Sequence, residues 1–151
     1  MNVDSIIRKL SSTPRENILD VLVDELYKNF NHYNWVGVYI LKDNLLVLYT
    51  WRGEEETPHT SIPIGEGVCG FAAVSGETEI VPDVSKDDRY LSCFQTTRSE
   101  IVVPIKKDDK VIGEIDIDSN ELDAFSEKDK ELLERVASNP LVISAVEELL
   151  T

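Results

Sequence analysis

Between Val111 and Asp118 the chain runs with a period of two, setting Val111, Gly113, Ile115 and Ile117 against Ile112, Glu114, Asp116 and Asp118. Successive side chains of a strand point to opposite faces, so this pattern commits the segment to a sheet carrying a row of acids on one side. The apolar face has to be covered by other elements. A solvated outer face is the ordinary meaning of an acidic row, and Glu114 is assigned to it; Asp116 and Asp118 are kept as candidate site residues. The preceding SEIVVPIKK has the β-branched content of a partner strand, with Lys107-Asp108-Asp109 as the turn between the two.

The rest of the chain supplies a second hairpin and the covering helices. Residues 34–41 (NWVGVYIL) and 44–51 (NLLVLYTW) are rich in β-branched and aromatic side chains about a Lys42-Asp43-Asn44 turn. HTSIPI predicts a short strand whose Pro63 places it at a sheet edge, and ETEIVPDV another that Pro82 ends. Between them VCGFAAVSG predicts a helix from about residue 68 to a stop at Gly76. Over residues 14–30 an amphipathic helix is expected, with Thr13 as N-cap, Pro14 at the first helical position and Ile18, Leu22 and Leu26 on its apolar stripe. A shorter helix over VDSIIRKL packs beside it or pairs subunits. Ser126, three residues before Asp129, caps EKDKELLERVASNP, and Pro140 breaks that helix before LVISAVEELL. Residues 83–98 read as an irregular loop, of a length that usually serves function. This order predicts an α+β fold in a single domain, its mainly antiparallel central sheet covered by helices.

A chain of 151 residues can bury one core without staples. Its 29 acidic against 15 basic residues give a net charge of −14, which repels phosphate backbones and anionic headgroups, so neither nucleic acid nor a membrane surface is an expected partner. The longest apolar runs, VGVYIL and LLVLY, fall far short of a membrane span, and MNVDSIIRKL has neither signal-peptide nor transit-peptide character. A cytoplasmic protein is expected. Two His and two Cys without close C-x-x-C or H-x-x-x-H spacing leave little from which to build a zinc site, and no metal or cofactor is expected.

The two cysteines are Cys69, in IPIGEGVCG, and Cys93, in YLSCFQTTRSEIVVP. A thiol attacks as thiolate, so a working cysteine needs a helix N-terminus or cations beside it. Cys69 stands at the opening of the VCGFAAVSG helix, and Cys93 lies in the loop between Arg89 and Arg98. The plainer alternative is that each is a buried packing residue.

Taken together, NWVGVYIL, IPIGEGVCGFAA, the cysteine of SCFQTTRSEIVVPI and VIGEIDIDS resemble the GAF domain of the free methionine-(R)-sulfoxide reductases, over roughly residues 15–137. The resemblance implies a GAF-like fold with one pocket closed by a loop, and an enzyme that reduces free methionine sulfoxide. It implies that Glu100, Asp116 and Asp118 face the pocket, hold the substrate ammonium and supply a proton to the sulfoxide oxygen. Trp35 and Tyr39 match the family's aromatic wall; read without the resemblance, they are as well explained by core packing.

By the same resemblance Cys93 is the nucleophile, its sulfenic acid is resolved to a disulfide, and thioredoxin is the reductant. Cys69 is the internal candidate for the resolving thiol. Many members carry a further cysteine ten residues before the G-V-C-G cysteine, where this chain has His59, which reads as a surface residue. Resolution therefore falls to Cys69 or to an external thiol. A noncatalytic small-ligand sensor and a thiol redox sensor stay open as alternatives, the fold alone not implying chemistry. GAF domains commonly pair through terminal helices, and by that analogy a homodimer through residues 14–30 and 127–149 is expected.

Overall fold

The computed structural model describes residues 2–90 and 96–150. The expected nucleophile Cys93 lies outside the described residues. Six strands form one antiparallel sheet: β1 (Trp35–Lys42), β2 (Leu45–Gly53), β3 (Ser61–Pro63), β4 (Glu79–Val81), β5 (Ser99–Lys107) and β6 (Lys110–Ser119). They stand in the order β3-β2-β1-β6-β5-β4. The helices are α1 (Val3–Ser11), α2 (Ile18–Asn29), α3 (Gly67–Ser75), α4 (Glu127–Ala137) and α5 (Pro140–Glu148).

Local chemistry sets the joints. Asp43 and Asn44 (φ 49° and 66°), and Asp108 and Asp109 (φ 52° and 64°), take the left-handed conformation that two-residue hairpin turns require. Gly76 ends α3 at φ 72°, its N–H donating to the Ala72 carbonyl at 2.8 Å. Pro63 sits on the edge strand β3, where its missing N–H leaves no ladder bond unmade.

The two faces of the sheet are covered differently. Val36, Val38, Ile40, Ile101, Val103, Ile105, Ile115 and Ile117 point to the side where α1, α2, α4 and α5 lay their apolar stripes, and together they form the main core. Trp35, Tyr39 and Val102 point the other way and pack with Val68, Cys69 and Ala72 of α3. The segment before α2 forms the short helix that VDSIIRKL predicts, and it packs within the chain: Lys9 reaches Glu25 of α2 at 2.8 Å.

One expected helix start is corrected. Thr13 does not cap residues 14–30; its hydroxyl donates back to the Lys9 carbonyl at 2.7 Å. Pro14 stands in extended conformation before a 3-10 turn, Arg15–Asn17, and α2 begins only at Ile18. The competing acceptor at the end of α1 wins the hydroxyl. The other cap is present: Ser126 and Asp129 form a reciprocal box at the start of α4.

Asp129 also accepts from the buried Tyr33 hydroxyl at 2.5 Å and lies 3.0 Å from His32 Nε2, tying α4 to the chain that enters β1. Burial opposes ionisation of this carboxyl, but the Ser126 N–H, Tyr33, His32 and the Ser126 hydroxyl outweigh it and hold the group below its ordinary range. Its stabilisation is therefore complete above the unfolded value near about 4 and lost as pH falls through the lower folded value. Asp129→Ala is expected to cost about 2–4 kcal/mol at neutral pH, from a lost cap and a lost charge-assisted bond. Urea unfolding checks this, and the gap to the parent protein should narrow in acid.

Candidate active site

The candidate residues meet on the α3 side of the sheet because antiparallel partners share a face. Asp118 stands between Glu100 and Trp35, Asp116 between Val102 and Gly37, and Glu114 between Pro104 and Tyr39. Three cross-strand rows thus carry Glu100, Asp118 and Trp35 at one end and Glu114 with Tyr39 at the other. Glu100, Glu114, Asp116 and Asp118 are all buried. The expectation of a solvated Glu114 is corrected: it is 0% exposed, because α3 covers the acidic face that periodicity alone leaves open.

Glycines set the depth of this floor. A Cβ on Gly37 or on Gly53, on neighbouring strands, would collide with the Trp35 ring, so the indole lies across the place where two side chains would stand. Trp51 stacks on it, centroids 6.2 Å apart and planes 15° from parallel. Tyr39 donates its hydroxyl to the His59 carbonyl at 2.7 Å, so His59 contributes backbone here. A Cβ on Gly70 would meet the Pro63 carbonyl at 2.7 Å and the Gly65 nitrogen at 2.9 Å, so glycine there lets α3 seat its first turn, with Cys69, against the loop leaving β3.

Cys69 Sγ and carboxyl oxygens of Glu100 and Asp116 lie within 4.8 Å of one another. Burial, then the neighbouring Asp116, Glu100, Glu114 and Asp118, push the Cys69 thiol well up. The expectation that a helix N-terminus lowers it is thereby corrected; four nearby carboxyls and desolvation act the other way. Burial likewise pushes the carboxyls up: Glu114 and Asp118 well above their ordinary range, each aided by Asp116, and Asp116 itself. Hydrogen bonding with Glu100 opposes part of the shift in Asp116 and Asp118. A bond between two carboxyls needs a proton, so this floor holds protons at pH values where surface carboxyls have lost theirs.

Sequence reading missed the rim and the stem of the 91–95 segment. A cavity of about 50 Å³ opens beside Trp35 and Asp118, with Asn34, Glu54, Glu55 and Thr97 around it. Asn34 fixes this edge, its N–H donating to the Asp118 carbonyl at 2.9 Å and its side chain accepting from the Asn120 N–H at 2.8 Å. Arg89 is engaged with Glu79 and Asp87, each at 2.7 Å, and lies 4.5 Å above the Phe71 ring of α3. Its guanidinium ties these two carboxylates to the face of the helix that carries Cys69. No sequence signal foretold that clamp; the glycines inside strands were the available signal for the Trp35 bed.

Removing the most deeply buried carboxyl offers a check on the site's cost. Glu114→Leu, similar in volume, should stabilise the protein by about 1–3 kcal/mol at neutral pH, because the Glu114 carboxyl is fully desolvated beside Asp116 with only the weak Cys69 thiol bond to offset that cost. Denaturant titration reads this directly, and destabilisation of that size would show that the carboxyl is satisfied.

The chain is similar in sequence and fold to known proteins. Residues 14–139 match the family model for the GAF domain. The free methionine-R-sulfoxide reductase of Escherichia coli is 34% identical over 113 residues, 75% of this chain and 67% of that protein. Its Saccharomyces cerevisiae counterpart is 44% identical over 108 residues, 69% of this chain and 59% of that protein. The free methionine-R-sulfoxide reductase of Neisseria meningitidis, solved in complex with its substrate, superposes with a TM-score of 0.86 at 32% identity, covering 96% of this chain and 86% of that one. With its antiparallel sheet, the α3-covered acidic face and these relatives, the chain belongs to the GAF-domain family of free methionine-R-sulfoxide reductases.

Proposed function

We propose that this protein reduces free L-methionine-(R)-sulfoxide to methionine by thiol chemistry. The observation that carries the reading is the enclosed floor of Glu100, Asp116 and Asp118 beside Trp35, Tyr39 and Cys69, on a fold shared with proteins of that name. A free amino acid sulfoxide presents an ammonium, a polar S–O bond and a methyl group. Carboxylates suit the first, protonated carboxyls the second and aromatic rings the third.

In the proposed mechanism the Cys93 thiolate attacks the sulfoxide sulfur. A proton passes from Glu100 or its acidic neighbours to the sulfoxide oxygen, that oxygen moves to the Cys93 sulfur as its bond to the substrate sulfur breaks, the bond between the two sulfurs opens, and methionine leaves with Cys93 as its sulfenic acid. The Cys69 thiol then displaces hydroxide from that sulfur, giving a disulfide and water, so one sulfoxide and two thiols become one thioether, one disulfide and water. The raised thiol pKa keeps Cys69 in its neutral form until the sulfenic acid arrives, which separates the two roles. Thioredoxin, proposed as the reductant, reopens the disulfide by exchange. A homodimer through the terminal helices and a cytoplasmic setting complete the proposal; among the described residues no helix is long and apolar enough to cross a membrane.

Purified protein with thioredoxin or dithiothreitol is expected to convert free methionine-(R)-sulfoxide and to leave the S epimer. Cys93→Ser should give no turnover. Cys69→Ser should release one methionine per chain and then stall with thioredoxin. Full turnover by Cys93→Ser would remove its role and move the nucleophile to Cys69.

A further inference from the structure

The histidines and cysteines stand far apart in the sequence, yet the fold collects a thiol and two carboxyls from three elements. Cys69 of α3, Glu100 of β5 and Asp116 of β6 are all buried, with their ligand atoms inside 4.8 Å of one another. A tetrahedral zinc-type ion needs its ligand atoms about 3.4 Å apart, a contraction that rotation of the two carboxyl groups supplies. A second observation points to a missing ligand. Glu114 is 0% exposed with the Cys69 thiol against its carboxyl, and among the described residues Asp116 and Asp118 each leave one buried oxygen without a partner. These groups share the face with Cys69, and the charges acting on them are each other's, with Glu100 and the thiol close by.

We infer that this floor is a binding site for a thiophilic divalent cation of the zinc or cadmium type, held by Cys69, Glu100 and Asp116, with Glu114 offering a further oxygen. One sulfur donor among carboxylates selects that class over magnesium or calcium, which take shells of oxygen alone. On binding, the Cys69 S–H bond breaks, a sulfur–metal bond forms and the proton leaves to the buffer, with no change of oxidation state. The cation occupies the floor proposed for the sulfoxide, so the two exclude each other. That exclusion rests on the reductase reading; the cation site itself does not.

Cadmium is the probe, added to reduced full-length Cys93→Ser protein so that Cys69 is the only thiol. One equivalent should produce the ultraviolet thiolate-to-cadmium charge-transfer absorption, and zinc should bleach it by displacement. Cys69→Ser in the same background should abolish the band, and Asp116→Asn, which keeps the thiol and the shape, should weaken cadmium at least about tenfold. No band in folded Cys93→Ser protein, or equal affinity in Asp116→Asn, overturns the site. In the unsubstituted protein zinc should inhibit sulfoxide reduction competitively. A cadmium band without turnover by metal-free protein sinks the reductase reading alone; turnover without a band sinks the cation site alone.

Discussion

Four carboxyls and a thiol are enclosed on one face of a sheet, and nearly every other feature of the molecule serves or follows from that enclosure. Desolvation makes Glu114, Asp116 and Asp118 hold their protons, Asp116 strengthens this in the other two, and hydrogen bonding with Glu100 opposes part of it in Asp116 and Asp118. Such a cluster is costly to bury and is unlike a packing core. Under the proposed function its use is to receive a cationic group that displaces water and brings donors to these buried oxygens.

The scaffold supports that cost from its opposite face. Because β1, β5 and β6 alternate, the backbone that aims Glu100, Asp116 and Asp118 into the site also aims Ile101, Ile115 and Ile117 into the main core. Fully buried aliphatic side chains of that size each contribute roughly 1.5–3 kcal/mol. A register slip of one residue would exchange the two sets, so pocket and core specify the same pairing. The clamp of Asp129 on Tyr33 and His32 fixes the entry to β1 just before Trp35.

The local joints were legible in the sequence because local chemistry dictates them. Asp43-Asn44 and Asp108-Asp109 announce hairpin turns, Gly76 a helix end, Pro63 an edge and Ser126 with Asp129 a cap. The grouping of Glu114, Asp116 and Asp118 on one face was equally legible. What covers that face was not, since it depends on α3 seating at Gly70 against Pro63, far along the chain. The same long-range placement reverses the expected sign for Cys69: a helix N-terminus would lower its pKa, while desolvation among carboxyls raises it. Thr13 misled for the opposite reason, a nearby carbonyl competing for its hydroxyl. For Trp35 and Tyr39 an aromatic-wall role is what the family resemblance implies; pattern alone did not separate it from core packing, and both lie buried in the cluster under α3.

The claim that these acids exist to receive an ammonium is tested most directly by calorimetric titration of the protein with free methionine and with N-acetylmethionine, which keeps the thioether and carboxylate but has no positive charge. Loss of charge-assisted contacts to buried carboxyls should weaken the acetylated ligand by about tenfold to a hundredfold. Equal affinity for the two would contradict the account and leave the acidic floor without its proposed purpose.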